Sequence, residues 1–181
     1  MLSRALPIIL MAASEDREKL EIVDDEGNVI GLAERSELHQ NPGLIHRVVH
    51  VLVFNNSGEL LLQKRSQGKD VAPGKWDTSV GGHINPGEDV LAAAKREMEE
   101  ELGLGGCKLR YLYRYLFSNH RESELVSTYS CICEGEIDFN RDEIDEVAFW
   151  DIPTIKENLG RDIFSGHFEK EIRRYLGTKK E

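Results

Sequence analysis

Residues 82–104, GHINPGEDVLAAAKREMEEELGL, constrain this chain more than any other segment, because a loop rich in Gly and Pro runs straight into a helix bearing clustered acids. At 3.6 residues per turn, Glu97, Glu100 and Glu101 fall within roughly a 100° arc. Leu91, Ala94, Met98 and Leu102 form the adjoining apolar stripe, so the acids are predicted to lie beside the buried face. Lys95 and Glu99, an i,i+4 pair, take the solvent side. Gly103 stands where a helix C-terminal cap is expected. Like charges gathered at the edge of a core call for a cation. An ordinary acidic surface helix would explain REMEEE by itself, but it would not explain the fixed spacing on either side of it.

That spacing runs Gly82, five residues, Glu88, seven residues, Arg96, Glu97, apolar Met98, one residue, Glu100, Glu101, one residue, Gly103 and apolar Leu104. Every fixed position matches the Nudix box, and the chain resembles the Nudix hydrolase superfamily, the MutT-like enzymes. The resemblance implies an α/β fold, an α/β/α sandwich around a mixed β-sheet, here with an N-terminal β-hairpin extension. It implies Glu97, Glu100 and Glu101 as the main metal ligands, assisted by Glu88 and the backbone carbonyl of Gly82. Arg96 would orient the acids, and Glu97, Glu100 and Arg96 would carry the catalysis. Adjacent carboxylates suit a hard divalent cation, with Mg²⁺ the first choice and Mn²⁺ the substitute. Such a cation stabilises charge on a diphosphate and lowers the pKa of water, so pyrophosphate hydrolysis is the expected reaction. The general base is open among a box glutamate, Glu143 and Glu146.

A second resemblance is carried by LLLQKRSQGKDVAPGKWDTSVGGH, which is similar to the type 1 isopentenyl diphosphate isomerases. It implies a second metal site of His39, His46, His83, Glu122 and Glu124, a mixed nitrogen and oxygen set able to take Mn²⁺, Zn²⁺ or Mg²⁺. It also implies that Arg65 and Lys69 hold the diphosphate, with charge-assisted contacts that serve either reaction. Lys64 is a less secure neighbour. The isomerases' proton-transferring cysteine, however, falls at Gly81, which has no group to donate or accept a proton. Tyr113 and Glu124 match the other acid/base positions. The isomerases tend to lose the acids at Glu97 and Glu100, whereas this chain keeps the complete box. The sequence therefore favours a hydrolase, with an isomerase and a non-catalytic ligand-binding Nudix domain as the alternatives. Trp76 is read first as a core anchor and second as a stacking platform for a base or prenyl group.

The chain of 181 residues suffices for one sizeable core, predicted as a single domain over 20–181 after a leader at 1–19. Residues 2–13 make a weak signal-peptide candidate, too short to span a bilayer, and Met11 is an alternative start. The net charge of -10 argues against nucleic acid or an anionic membrane as partner and leaves a small-molecule diphosphate. A homodimer is a possible assembly. Cys131 and Cys133, with Cys107 remote, match neither a disulfide framework nor a zinc pattern, and are expected to be reduced packing residues in a cytoplasmic protein.

From residue 20 the chain predicts a hairpin turning at Asp25–Asn28, then a second hairpin of VVHVLVF and ELLLQKR turning at 55–58. The near-continuous apolar runs place the second hairpin in the central sheet. A polar loop follows at 66–74, then a short strand in WDTSVGG. Further strands are expected near 108–117, 125–134 and 146–150, and helices near 153–158 and 167–176.

Overall fold

A computed structural model describes residues 18–178. The leader reading for residues 1–17 lies outside the described residues. The first hairpin pairs β1 (Lys19–Val23) with β2 (Val29–Glu34). Asp24 organises its turn by accepting from the backbone N–H groups of Glu26 and Asn28, and Gly27 supplies the positive φ of 89° that the turn requires. A one-turn helix, α1 (Arg35–Leu38), follows and was not predicted. Next come β3 (Ile45–Phe54), β4 (Leu60–Arg65), β5 (Trp76–Asp77), β6 (Val80–His83) and α2 (Val90–Leu102). The chain continues through β7 (Arg110–Ser118), β8 (Ser123–Ile132), β9 (Ile144–Trp150), α3 (Ile152–Asn158) and α4 (Gly166–Thr178). Every predicted strand and helix after α2 is present, with ends displaced by at most two residues.

β3 is the hub of the mixed sheet. One edge pairs in parallel with β8 along its whole length. The other edge pairs antiparallel with three strands in turn, β1 at Ile45 and His46, β6 from Val48 to Val51, and β4 only at Phe54. The second hairpin therefore opens immediately after its turn, contrary to the continuous ladder its sequence suggests. β4 diverges to pair with β5 and β9 instead. Ser79 fills the opening: its hydroxyl accepts from the Val53 N–H and donates to the Leu61 carbonyl. Two buried backbone groups that the divergence would strand are satisfied by one side chain.

Alternation along β3 feeds both faces of the sheet. Val49, Val51 and Val53 point to a core shared with Ala93, Ala94, Met98 and Leu102 of α2. Leu52 and Phe54 point to the opposite core, built with Ile155 of α3 and Phe168, Ile172 and Tyr175 of α4. The result is the α/β/α arrangement that the resemblance implied. Phe168 is fully buried in the second core. Phe168→Ala is expected to destabilise the fold by about 3–5 kcal/mol, read as a lower urea midpoint at unchanged slope.

The cysteines are not all reduced packing residues, contrary to the pattern of their spacing. Cys107 and Cys133, 26 residues apart, form a disulfide, and only Cys131 is a free thiol among the described residues. The short C-x-C spacing misled because Cys133 lies beyond the end of β8, where its loop meets the segment after α2. Burial pushes the Cys131 thiol up to about 11, so it is an inert packing group. With a disulfide present, cysteine usage gives no argument for a reducing compartment. No helix among the described residues is long and apolar enough to cross a membrane.

Candidate active site

The loop and helix that opened the sequence reading build one wall of a cavity of about 460 Å³. Asp89 caps α2 by accepting from the Leu91 and Ala92 N–H groups, and Gly103 ends the helix in the left-handed region at φ 64°. Ala94, Met98 and Leu102 are buried as expected, whereas Leu91 is only half-buried. The acids rise from the cavity-facing edge of this stripe. Glu101 is buried, accepting from Gln63 Nε2 at 2.9 Å and from the Gly81 N–H at 3.4 Å. Glu97 lies against Gly82 so closely that a Cβ on that glycine would fall 2.1 Å from the Glu97 carboxyl carbon. Glu100 stands further out, with its side chain 58% exposed.

Arg96 ties the acids together. Its Nε and one terminal nitrogen each donate to Glu88 at 2.9 Å, and the other terminal nitrogen donates to Glu97 at 2.7 Å and Glu100 at 3.0 Å. A further bond at 3.0 Å reaches the His83 carbonyl and fixes the fork to β6. One planar guanidinium thus sets the positions of three carboxylates. Burial pushes the Glu101 carboxyl well above the usual range, and the neighbouring charges of Glu97 and Glu143 push it further. Burial also raises Glu97, against the pull of Arg96. Glu88 is held low by its bonds to Arg96. Two carboxyls penalised by burial and mutual repulsion form a site that a cation would relieve.

The second predicted set is also brought together, at the N-terminal end of β3. The rings of His39, His46 and His83 lie at a mutual centroid distance of 5.3 Å. One ligand atom from each falls within 4.8 Å of the others, and the same holds for His46, Glu122 and Glu124. Burial lowers His39 to about 3 and His46 to about 4, so both present neutral ring nitrogens suited to a metal. Neither ring nitrogen of His46 has a hydrogen-bond partner. Orphaned donor atoms of this kind fit a bound cation. His167, absent from the predicted set, stacks on Phe117 at 4.0 Å with Nε2 3.3 Å from Glu124 and 3.6 Å from Glu122. Burial opposes its charge, yet Glu124 carries it up to about 9.

Arg65 and Lys69 both line the cavity. Arg65 donates to the Val71 carbonyl at 2.8 Å and reaches Asp77 at 3.4 Å, while Lys69 pairs with Glu143 at 2.7 Å. The two base candidates separate. Glu143 lines the cavity, whereas Glu146 lies outside it, 3.8 Å from Lys64. Trp76 packs edge-on against Trp150 at 5.3 Å, as a core anchor. Tyr113 also lies outside the cavity lining, with its hydroxyl donated to Glu171 at 2.6 Å. Gln63, Asp77, Thr78, His50 and His167 line the cavity without having been singled out from sequence. Only His50 carried a usable signal: it lies four residues after His46 in one strand, hence on the same face.

The NUDIX domain family matches residues 44–167, most of the chain. The protein belongs to the Nudix hydrolase superfamily. Among relatives of this Nudix protein, an isopentenyl-diphosphate Delta-isomerase of Streptomyces avermitilis is 36% identical over 155 residues, covering 82% of this chain and 79% of the relative. An uncharacterized Nudix hydrolase of Yersinia pestis is 35% identical over 136 residues, covering 75% and 74%. In fold, the Nudix chain is similar to the DR0079 protein of Deinococcus radiodurans, with a TM-score of 0.76 at 24% identity over 87% of this chain and 98% of that one. It is also similar to the NUDIX domain of Shewanella oneidensis NrtR, solved with ADP ribose, with a TM-score of 0.58 at 14% identity over 73% and 86%.

Proposed function

We propose that this Nudix protein, acting as one domain over 20–181, is a divalent-metal-dependent hydrolase that cleaves the diphosphate linkage of a small organic diphosphate. The observation that carries the reading is the approach of Glu97 to Gly82, with Arg96 holding Glu88, Glu97 and Glu100 around it. Glu97, Glu100 and Glu101, with Glu88 and the Gly82 carbonyl, would hold Mg²⁺ or Mn²⁺. A cation bound there neutralises diphosphate charge and makes water acidic enough to attack phosphorus near neutral pH. The chain's own groups supply the rest. Arg96 keeps the carboxylates convergent, Gln63 and the Gly81 N–H hold Glu101 in place, and Arg65 and Lys69 stand ready to receive phosphate oxygens. Glu143, inside the cavity, is the better placed of the two outer bases for accepting a proton from water.

The test is cleavage of the diphosphate linkage, read as phosphomonoester or free phosphate products, in nucleoside diphosphate derivatives, ADP-ribose, dinucleoside polyphosphates and isopentenyl diphosphate, with Mg²⁺ and with excess EDTA. Cleavage of at least one that stops on chelation supports the reading, and metal-independent cleavage or none opposes it. A second reading, an isopentenyl diphosphate isomerase, is favoured by the convergence of His39, His46, His83, Glu122 and Glu124 and opposed by Gly81. If that cluster holds a metal, Glu124→Gln is expected to remove one equivalent of bound Mn²⁺ or Zn²⁺, counted by elemental analysis after gel filtration. A wild type that retains no equivalent of either metal would exclude a metal there.

A further inference from the structure

Opposite the box helix, the cavity has a second wall that the proposed hydrolysis does not use. Side chains alternate along β6, so Gly82 faces Glu97 while Gly81 faces the other side of the sheet. A Cβ on Gly81 would meet only His50, 3.3 Å from Cδ2 and 3.6 Å from Nε2. His50 is the cross-strand partner of Gly81 on β3 and lines the cavity. Its Nδ1 lies 2.8 Å from Glu171 Oε2. Glu171, wholly buried on α4, also accepts from Tyr113 at 2.6 Å, Tyr115 at 2.8 Å and Thr128 at 3.1 Å. Burial would raise this carboxyl, but the bonds from His50, Tyr113 and Tyr115 hold it below the usual range, as an ionised acceptor.

With Nδ1 donating to Glu171, the nitrogen left for the cavity is Nε2, which has no hydrogen-bond partner among the described residues. Four donors on one carboxylate fix the ring and assign its tautomer. The missing side chain at Gly81 keeps the imidazole reachable, since a methyl group there would lie against the ring. We propose that His50, positioned by Glu171, is a substrate-binding residue whose Nε2 hydrogen-bonds an oxygen of the organic diphosphate. That oxygen belongs either to the diphosphate or to a hydroxyl of the group it carries. The proposal rests on the hydrolase reading only in taking the substrate to be an organic diphosphate.

Asparagine at position 50 separates this role from a structural one, because its amide nitrogen occupies the place of Nδ1, keeps the bond to Glu171 and offers nothing at Nε2. ADP-ribose and isopentenyl diphosphate are titrated calorimetrically into wild type and His50→Asn, with Ca²⁺ in place of Mg²⁺ so that binding is read without turnover. The expected result is a Kd weakened about tenfold or more for ADP-ribose at an unchanged melting midpoint. Weakening for ADP-ribose alone assigns the contact to its ribosyl side, and weakening for both assigns it to the diphosphate. Unchanged affinity for both overturns the proposal, as does a wild type that binds neither. Should His50→Asn fail to fold, ¹⁵N-histidine spectra of the wild type decide: the His50 Nε2 resonance shifts when ADP-ribose is added, or the proposal falls. A wild type that binds but cleaves neither diphosphate with Mg²⁺ sinks the hydrolase reading and leaves this one standing.

Discussion

Glu101→Gln is expected to lower Mg²⁺-dependent turnover by roughly two to four orders of magnitude while leaving the fold intact. The substitution is nearly isosteric, and the amide oxygen still accepts from Gln63 Nε2 and the Gly81 N–H, so the bonds that fix the side chain survive. What is lost is a charge available to a cation. The same change has a signature in stability. Burial raises the Glu101 carboxyl in the folded, metal-free chain above its unfolded value. Between those two values the folded state keeps a proton that the unfolded chain has released. Metal-free wild type is therefore fully stable with respect to this group below the unfolded pKa, and it loses stability as pH rises toward the folded one. Glu101→Gln has no such window. Its metal-free melting midpoint is expected to exceed that of wild type at pH 8 and to converge with it near pH 4. Added Mg²⁺ should raise the wild-type midpoint and leave the variant nearly unmoved. Glu100→Gln is expected to cut turnover too.

Gly82→Ala carries the second large effect. A methyl group at this position would sit 2.1 Å from the Glu97 carboxyl carbon and 2.4 Å from both its oxygens. Those atoms are the end of a flexible side chain, so Glu97 swings aside and the backbone stays in place. Swinging aside also breaks its bond to Arg96. Displacement of about 1 Å in a reacting constellation costs on the order of 100-fold in rate. The expected outcome is a loss of about that size in kcat with a melting midpoint close to wild type. A protein that unfolds instead would mean that Gly82 serves the strand, and unaltered kcat would mean that Glu97 has no part in the reaction.

The box helix was legible because its signals are local. Acids and apolar residues share one period, and Gly103 occupies the one position where the helix must turn left-handed. The strands were legible for the same reason, as runs of β-branched and apolar residues between turn-forming ones. Their partners were not. The split of β4 from β3 depends on Ser79, whose hydroxyl bridges two strands distant in sequence, and no pattern within either strand announces it. The pairing of Cys107 with Cys133 failed for a related reason, since it depends on two loops meeting after α2 and β8 are packed. At the site, residues belonging to a known spacing were found from sequence. His167 and Glu171 were not, because they come from α4, and only the packing of that helix against β3 and β8 brings His167 to the cavity and Glu171 behind His50. Tyr113, matched to an acid/base position by resemblance, instead donates to Glu171 and does not line the cavity.

Metal-dependent cleavage of a diphosphate by the box acids is the central claim, and it can be tested directly. Wild type and Glu101→Gln are compared by ³¹P NMR on the same diphosphate panel, with Mg²⁺ present and then chelated. New phosphomonoester or phosphate resonances are expected for wild type with at least one substrate, lost on chelation and lost in the variant. Equal cleavage by the two proteins, or isomer interconversion of isopentenyl diphosphate with no diphosphate linkage cleaved in any substrate, would contradict that claim.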